Sequence, residues 1–311
     1  MNKNIKAINL VWLSRTGLTN MNSGEGGSNF VDIKKYRFQG REYPYVSGQA
    51  MRFYLKEAIR RNIAPEEACV ADQAGETCGL IDSCILCDLF GFMATIPDVG
   101  AKTRVSPVKV SPAIGLLPFD DNSVVDFLTR RHRVAEGERM EGDIVNVELG
   151  MNLYKAGVSI DVAKIGAEER DFVIQKIKEK PIHGIKLEQL INDNERQHRI
   201  QLLLTAIRTF SDYSKQARLL TDFTPDFILV SVQDHYSHRL QKGIELEDGM
   251  RLNVNRLKEV IGELSENGCT IYAGSLDGIV ENQDEVLSIL SDAKITVQKP
   301  AEVINQLIEL V

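Results

Sequence analysis

Tyr43-Pro-Tyr-Val-Ser-Gly-Gln-Ala-Met-Arg-Phe-Tyr-Leu-Lys-Glu-Ala-Ile-Arg-Arg61 reads as an extended approach, a sharp turn and a helix that starts at Ser47. Ser47 suits the N-cap, where its hydroxyl accepts from an amide of the first turn, and Gly48 lets another group come close to the backbone. Met51, Tyr54, Leu55, Ala58 and Ile59 recur at the spacing of one buried helix face. Arg52, Lys56 and Arg60 form a second row four residues apart, and Asn62 to Pro65 stops the helix. A helix N-terminus with its positive dipole end therefore lies one turn from an arginine, which is the make-up of a phosphate site. Taken alone, the same helix is an ordinary surface element with a solvated basic face, a common arrangement.

The chain has 311 residues, enough for one elaborated domain or two. With 43% hydrophobic and 26% charged residues it has the composition of a soluble globular protein. No apolar run reaches the length of a membrane span, and MNKNIKAINLVWLS carries no signal-peptide cleavage pattern. The expectation is a cytoplasmic protein without a membrane partner. A net charge of −7 argues against coating nucleic acid by general electrostatics. The charge is uneven, however. Lys34, Lys35, Arg37, Arg41, Arg52, Lys56, Arg60 and Arg61 face only Glu42 and Glu57 in their stretch, while the chain from Glu245 onward is mostly acidic. A basic surface on one side fits a groove for a polyanion.

Working outward, Ile5 to Ser14 is an apolar, β-branched run that predicts a buried strand. Arg15 to Arg41 reads as a long loop; its Gly24, Gly26 and Gly27 match no phosphate-binding fingerprint. Residues 63–140 hold four of the five cysteines and five of the nine prolines, and read as an insertion. Alternation from Asp143 to Asn152 and from Val158 to Val162, around Lys155-Ala-Gly157, predicts a hairpin. Residues 166–195 form a second, charged insertion. Ile200, Leu203, Leu204, Ile207 and Phe210 mark an amphipathic helix, and Asp226 to Gln233 a buried strand. Stripped of insertions the order is βαββαβ, the ferredoxin-like order that RNA-recognition modules share, so the expected class is α+β. A strand at Thr270 to Ala273 and a helix from near Pro300 complete the chain.

Cys69, Cys78, Cys84 and Cys87 lie close together in the chain, which in a cytoplasmic protein points to metal or redox chemistry before disulfides. Their spacing permits a four-thiolate zinc site without demanding one. The plainer alternative makes Cys84 and Cys87 small core residues of the apolar run ILCDLFGFM. Cys269 reads as buried filler. The five histidines are scattered; His235 and His238 follow a strand beside Asp234 with no third partner, and read as surface residues.

These segments in order resemble a known family. Asn9 to Asn20, the P-Y-V-S-G-Q-x-x-R turn from Pro44 to Arg52, and Cys84-x-x-Cys-Asp-Leu-Phe-Gly91 match it. So do Thr103-Arg-Val-Ser-x-Val-x-Val-Ser111 and the helix and strand ending in Thr224-Pro-Asp-Phe-Ile-Leu-Val230. The chain is similar to the backbone subunit of type I CRISPR surveillance complexes (Cascade), in the DevR-like branch of the repeat-associated mysterious protein superfamily. The resemblance implies a non-catalytic, hand-shaped scaffold. Residues 1–62, 141–165 and 196–311 would form an RRM-like palm, 63–140 the fingers and 166–195 the thumb. Copies would stack head to tail along the spacer of a CRISPR guide RNA, a non-closing contact that builds a helical filament. The guide would pair with target DNA, and other Cascade subunits would join the particle; base pairing would carry the sequence specificity.

The family's guide-contacting turn falls on Ser47, Gly48, Gln49 and Arg52. Asn20, Lys34, Lys35 and Arg37 follow as candidates in the loop after the first strand, and Lys102, Arg104, Arg131 and Arg133 in the insertion. Two rival readings stand beside this one. Backbone subunits of type III complexes cleave target RNA with an aspartate in the corresponding loop, where this chain has Asp32, although no clear motif surrounds it. The cysteine cluster alternatively makes the chain a zinc-stabilised interaction module. The chain carries no terminal glycine-rich run of the kind found in the family's guide-processing nucleases.

Overall fold

The computed structural model describes residues 5–23, 30–96, 100–119, 123–131, 142–177, 180–212, 219–247 and 249–311. Its central strand is β1 (Ala7–Thr19), whose side chains alternate between two apolar layers. Ile8, Leu10 and Trp12 enter one layer, and Val11 and Leu13 the other. Burial on both faces is why the run is apolar throughout instead of alternating with polar residues.

Next come β2 (Phe30–Val31) and the hairpin of β3 (Lys35–Phe38) and β4 (Arg41–Val46). The stretch read as a loop is therefore partly strand. The hairpin turns on Gln39-Gly40, with φ of 49° and 81°, the left-handed pair that matches the twist of antiparallel strands. Gln-Gly announces that turn less clearly than Asn-Gly, which is why the residue pattern hides it.

The helix α1 (Gly48–Arg60) has Ser47 as N-cap, and buries Met51, Tyr54, Leu55, Ala58 and Ile59, the stripe read from the sequence. Then follow α2 (Ile85–Phe90), β5 (Phe92–Ile96), β6 (Gly100–Arg104), β7 (Val108–Val110), β8 (Ala113–Gly115), β9 (Ser123–Arg131) and β10 (Gly142–Asp161). Strands β5 and β6 form a sheet of their own, but β7, β8 and β9 pair with β10 in the main sheet. Part of the stretch 63–140 thus supplies strands of the main sheet.

A second expectation is corrected at β10. The strand passes through Lys155-Ala-Gly157 without turning, so one element of 20 residues replaces the expected hairpin. Its first half pairs with β9 and, in parallel, with β2, and its second half lies between β1 and the short β7 and β8. Gly157 serves close approach here: a Cβ would stand 1.9 Å from the Gln241 side-chain oxygen. The same Gln241 amide donates to the Leu10 carbonyl at 2.8 Å.

The chain goes on through β11 (Ala167–Ile177), β12 (Lys180–Gln189), α3 (Asp193–Arg208), β13 (Phe227–Gln233) and α4 (Val254–Glu266). It ends with β14 (Thr270–Ser275), α5 (Gln283–Asp292), β15 (Val297–Gln298) and α6 (Pro300–Leu310). The main sheet runs β15-β14-β13-β1-β10-β8-β4-β3, and β13, β1, β10 and β8 pair antiparallel at its centre. Helices α1, α3 and α6 line one apolar layer, and α4 and α5 the other. The architecture is mixed α+β with one large sheet. The β11–β12 hairpin is a separate two-stranded sheet with Phe172, Val173, Ile174, Ile182, Ile185 and Leu187 exposed. Among the described residues, no helix is long and apolar enough to cross a membrane.

Candidate nucleic-acid interface

β4 delivers the chain to α1 with Ser47 extended at φ −61° and ψ 149°, and its hydroxyl accepts from the Ala50 amide at 3.2 Å. The Ser47 amide donates to the Asn22 side-chain oxygen at 2.7 Å, and the Tyr54 hydroxyl to the Met21 carbonyl. The segment after β1 is thereby tied to the start of the helix. Lys34 is threaded between the two, its amide donating to the Asn22 carbonyl and its carbonyl accepting from Tyr45. Gly48 is packed close: a Cβ would meet the Val110 carbonyl oxygen at 3.3 Å, which requires that neighbour to give by a few tenths of an ångström. Among the described residues neither the Gly48 nor the Gln49 amide meets a protein acceptor. Two first-turn donors, on the positive end of the helix, are therefore open to an anion.

The basic row on α1 is not the solvated face the sequence suggests. Arg52 donates to the Phe90 carbonyl at 2.5 Å, its guanidinium 5.5 Å from the centre of the Phe90 ring, and Lys56 stands 5.6 Å from the same ring. Burial lowers the pKa of both side chains, and for Lys56 the neighbouring Arg52 charge adds to the effect. Arg60 pairs with Glu57 and donates to the Cys69 carbonyl at 3.0 Å.

The other candidates divide. Lys35 binds Glu148 at 2.8 Å over the Phe119 ring, and Arg37 is an exposed partner of Glu42 at 3.2 Å, a pair worth about 0–1 kcal/mol. Asn20 is buried and donates to the Glu148 carbonyl at 3.0 Å, so it holds the segment in place from inside. Gln49 is exposed. Lys102 pairs with Glu168. Arg131 ends β9, and Arg133 lies outside the described residues. Ser47, Gly48, Gln49, Lys34 and Lys35 are thus brought together, whereas Lys102 and Arg104 sit apart, beside the β11–β12 hairpin.

The four cysteines do converge. Their sulfurs all lie within 4.8 Å of one another, with Cys69–Cys87, Cys78–Cys87 and Cys84–Cys69 each at 3.6 Å. A disulfide needs about 2.05 Å, whereas a tetrahedral zinc with Zn–S bonds of about 2.3 Å needs sulfurs about 3.8 Å apart. The Cys87 thiol, then the Cys69 and Cys87 amides, donate toward Cys84 and bring its pKa down to about 4, so a thiolate is favoured there. Burial pushes Cys78 up to about 11. Among the described residues this is the one His, Cys, Asp or Glu group arranged to hold a metal ion, and neither Asp32 nor His235 belongs to it. Asp32 is half-buried between β2 and β3, and exposed His235 pairs with Asp234 at 2.8 Å.

Beside the thiols lies a buried ion network that the sequence reading missed. The Asp88 carboxylate, fully buried, accepts from Arg104 at 2.6 Å, Arg199 at 2.8 Å and the Gly166 amide at 2.9 Å. Arg104 also donates to the Lys164 and Ala167 carbonyls, and Arg199 to those of Ile81 and Asp82. Arg104, read as a phosphate contact, is instead committed to the protein interior. Only an arginine on the apolar side of α3 hinted at this, since Arg199 falls four residues before Leu203. Gly91 closes the site with φ 70° and ψ 173°, a region open almost only to glycine, and a Cβ there would stand 2.3 Å from the Arg104 carbonyl oxygen. Gly91→Ala is expected to lower stability by about 1–3 kcal/mol, read as a lower urea midpoint.

With this geometry in hand, comparisons identify the relatives. A family model described as "CRISPR-associated negative auto-regulator DevR/Csa2" matches residues 15–248. Two solved chains share the fold. One, titled "CRISPR RNA-guided surveillance complex", has a TM-score of 0.58 at 13% identity, covering 98% of this chain and 99% of that one. The other, titled "CRISPR RNA-guided surveillance complex, pre-nicking", has a TM-score of 0.62 at 11% identity over the same shares. A search of curated proteins found no match.

Proposed function

The chain belongs to the CRISPR-associated DevR/Csa2 family, and from that premise we propose that it is a non-catalytic guide-RNA-binding backbone subunit of a type I surveillance complex. The observation that carries the proposal is the start of α1. Two open amides at a helix N-terminus lie one turn from Arg52 and beside the Lys34–Lys35 segment, in a fold shared with chains of RNA-guided complexes. Amides and cations so placed neutralise phosphates without reading bases, as a sequence-independent guide scaffold requires. Ser47, Gly48, Gln49 and Arg52 take the guide backbone, Lys34, Lys35 and Arg37 extend the track, and Asn20 holds it from behind. Lys102 is released from Glu168 when a phosphate replaces it.

The order β13-β1-β10-β8, with α1 and α3 on one face, supports a ferredoxin-like palm. Fingers are built around α2, β5 and β6, and the β11–β12 hairpin is the thumb. Copies stack head to tail along the guide, other subunits of the complex bind the ends, and target DNA pairs with the exposed bases, in the cytoplasm. The four thiols hold a structural zinc ion, for which their sulfur separations are the support. Elemental analysis of the reduced protein is expected to return one zinc per chain; none after loading and gel filtration would remove the ion.

Purification from a host expressing a CRISPR array tests the main proposal. The expected product is a large particle with RNA of uniform length that ribonuclease or high salt takes apart. A nucleic-acid-free chain that takes up no added guide RNA would overturn it. Salt titration of binding is expected to give a log–log slope of about −0.7 per phosphate contact.

A further inference from the structure

We infer that metal binding at the four thiols sets the guide contact itself, by fixing α2 under Arg52 and against the root of the β11–β12 hairpin. This rests on the guide-binding reading above and goes beyond a structural staple for the insertion.

The coupling runs through α2. This helix has six residues, far too few to persist without tertiary ties. Cys84 caps it and Cys87 lies in its first turn, so half of the thiol cluster is part of the helix. The other two sulfurs come from Cys69 and Cys78, in a stretch where Pro65–Glu67 is the last regular element before the helix. Sulfur to sulfur, the thiols meet only through weak contacts at 3.6 Å, beside one long hydrogen bond from the Cys69 amide to the Cys84 sulfur at 3.5 Å. A bound divalent zinc ion, with the thiol protons released to solvent, converts those contacts into four bonds that join the loop to the helix.

The same six residues hold both Arg52 and the root of the proposed thumb. Phe90 accepts from Arg52 through its carbonyl and carries Arg52 and Lys56 over its ring. Asp88, next to Cys87, accepts from the Gly166 amide and from Arg104, whose guanidinium also donates to Lys164 and Ala167 at the start of β11. Arg60, one turn beyond Lys56, donates to the Cys69 carbonyl, so the ligand loop touches the basic row directly. Arg52 spends one described donor on Phe90, and its other N–H groups are held in one place for a phosphate. Loss of the metal leaves α2 with only its core burial and the Asp88 pairs, so the loop-to-helix tie is lost and Arg52 and the hairpin root sample positions beyond the competent one. Apparent RNA affinity then falls in proportion to the fraction still competent, about tenfold if one chain in ten is.

The test compares the full chain, stripped with chelator under reducing conditions, with the same chain reloaded with zinc alone. A labelled guide-length single-stranded RNA reports binding, and hydrogen exchange reports residues 84–91 and 164–170. The expected result is about tenfold weaker RNA binding without zinc, faster exchange in both segments, unchanged exchange in α4 and α6, and full recovery on reloading. Cys78→Ser, at the exposed ligand, is expected to resemble the stripped chain and to resist rescue. Equal RNA affinity with and without zinc would overturn the inference while leaving the guide-binding function in place. A zinc-loaded chain that binds no RNA would instead remove the function. In that case, matched protection of 84–91 and 164–170 by zinc would still support the coupling, and protection of 84–91 alone would overturn it. Should Cys78→Ser fail to fold, the stripped and reloaded wild-type chain decides the matter.

Discussion

Asp88→Ala is expected to lower folding stability by about 3–5 kcal/mol, the cost of leaving buried charges without their partner. The carboxylate is fully buried, and it is the shared acceptor of Arg104 and Arg199, whose side chains are 9% and 2% exposed. Both guanidiniums would keep their carbonyl acceptors, and Arg199 its Glu195 partner at 2.7 Å, but both would lose the buried carboxylate they share, with little solvent to replace it. Burial itself raises the Asp88 pKa, opposed by Arg199, by the Gly166 amide and by Arg104, so the pair of arginines is what makes a charged group tolerable there. Against a total stability of about 5–15 kcal/mol the loss is large. Urea unfolding of Asp88→Ala beside Asp88→Asn measures it; a loss under about 1 kcal/mol for the alanine variant would mean the network is not a structural centre.

Arg52→Glu is expected to abolish RNA retention while the chain stays folded. The substitution replaces a cation by an anion beside the proposed phosphate track, and in the proposed filament the defect would repeat in every copy along one RNA. Arg52 is only half-buried and gives up one hydrogen bond to a carbonyl, a cost of about 1.5–3 kcal/mol that the fold should survive. Arg52→Lys keeps the charge but loses the planar fork, so intermediate retention is expected. Lys258→Glu, exposed on α4 in the other layer, controls for net charge. The absorbance ratio at 260 and 280 nm of purified protein, with a thermal melt for folding, reads the outcome. RNA content equal to wild type in a folded Arg52→Glu chain would sink the assignment of this turn.

Local signals carried the legible part of both fold and candidate site. β1, α1, α3, β13 and the helix from Pro300 could be read because each satisfies a short-range rule: a continuous apolar run, a serine cap, a periodic stripe, proline at the first helical position. The start of α1 was legible for the same reason, since a cap and a basic residue one turn on are sequence-local facts. What failed were inferences in which one residue type serves two purposes. Gly157 reads as a turn, yet in the fold it admits Gln241 and lets β10 run straight. Arg104 reads as a surface cation, yet its acceptor Asp88 lies in another element and Lys164 farther still.

The sequence by itself therefore determined the α+β class, the position of the capped helix and the closeness in chain of the four cysteines. Only the tertiary structure decided that their sulfurs meet within 4.8 Å, and that the basic row of α1 leans on Phe90 instead of facing solvent. It also decided that one buried carboxylate joins the thiol-bearing helix to the root of a hairpin many residues away. The physical reason is the range of the interactions. Caps, stripes and turns depend on neighbours within a few residues, whereas burial of charge and convergence of sulfurs depend on which distant segments pack together, and no local pattern records that.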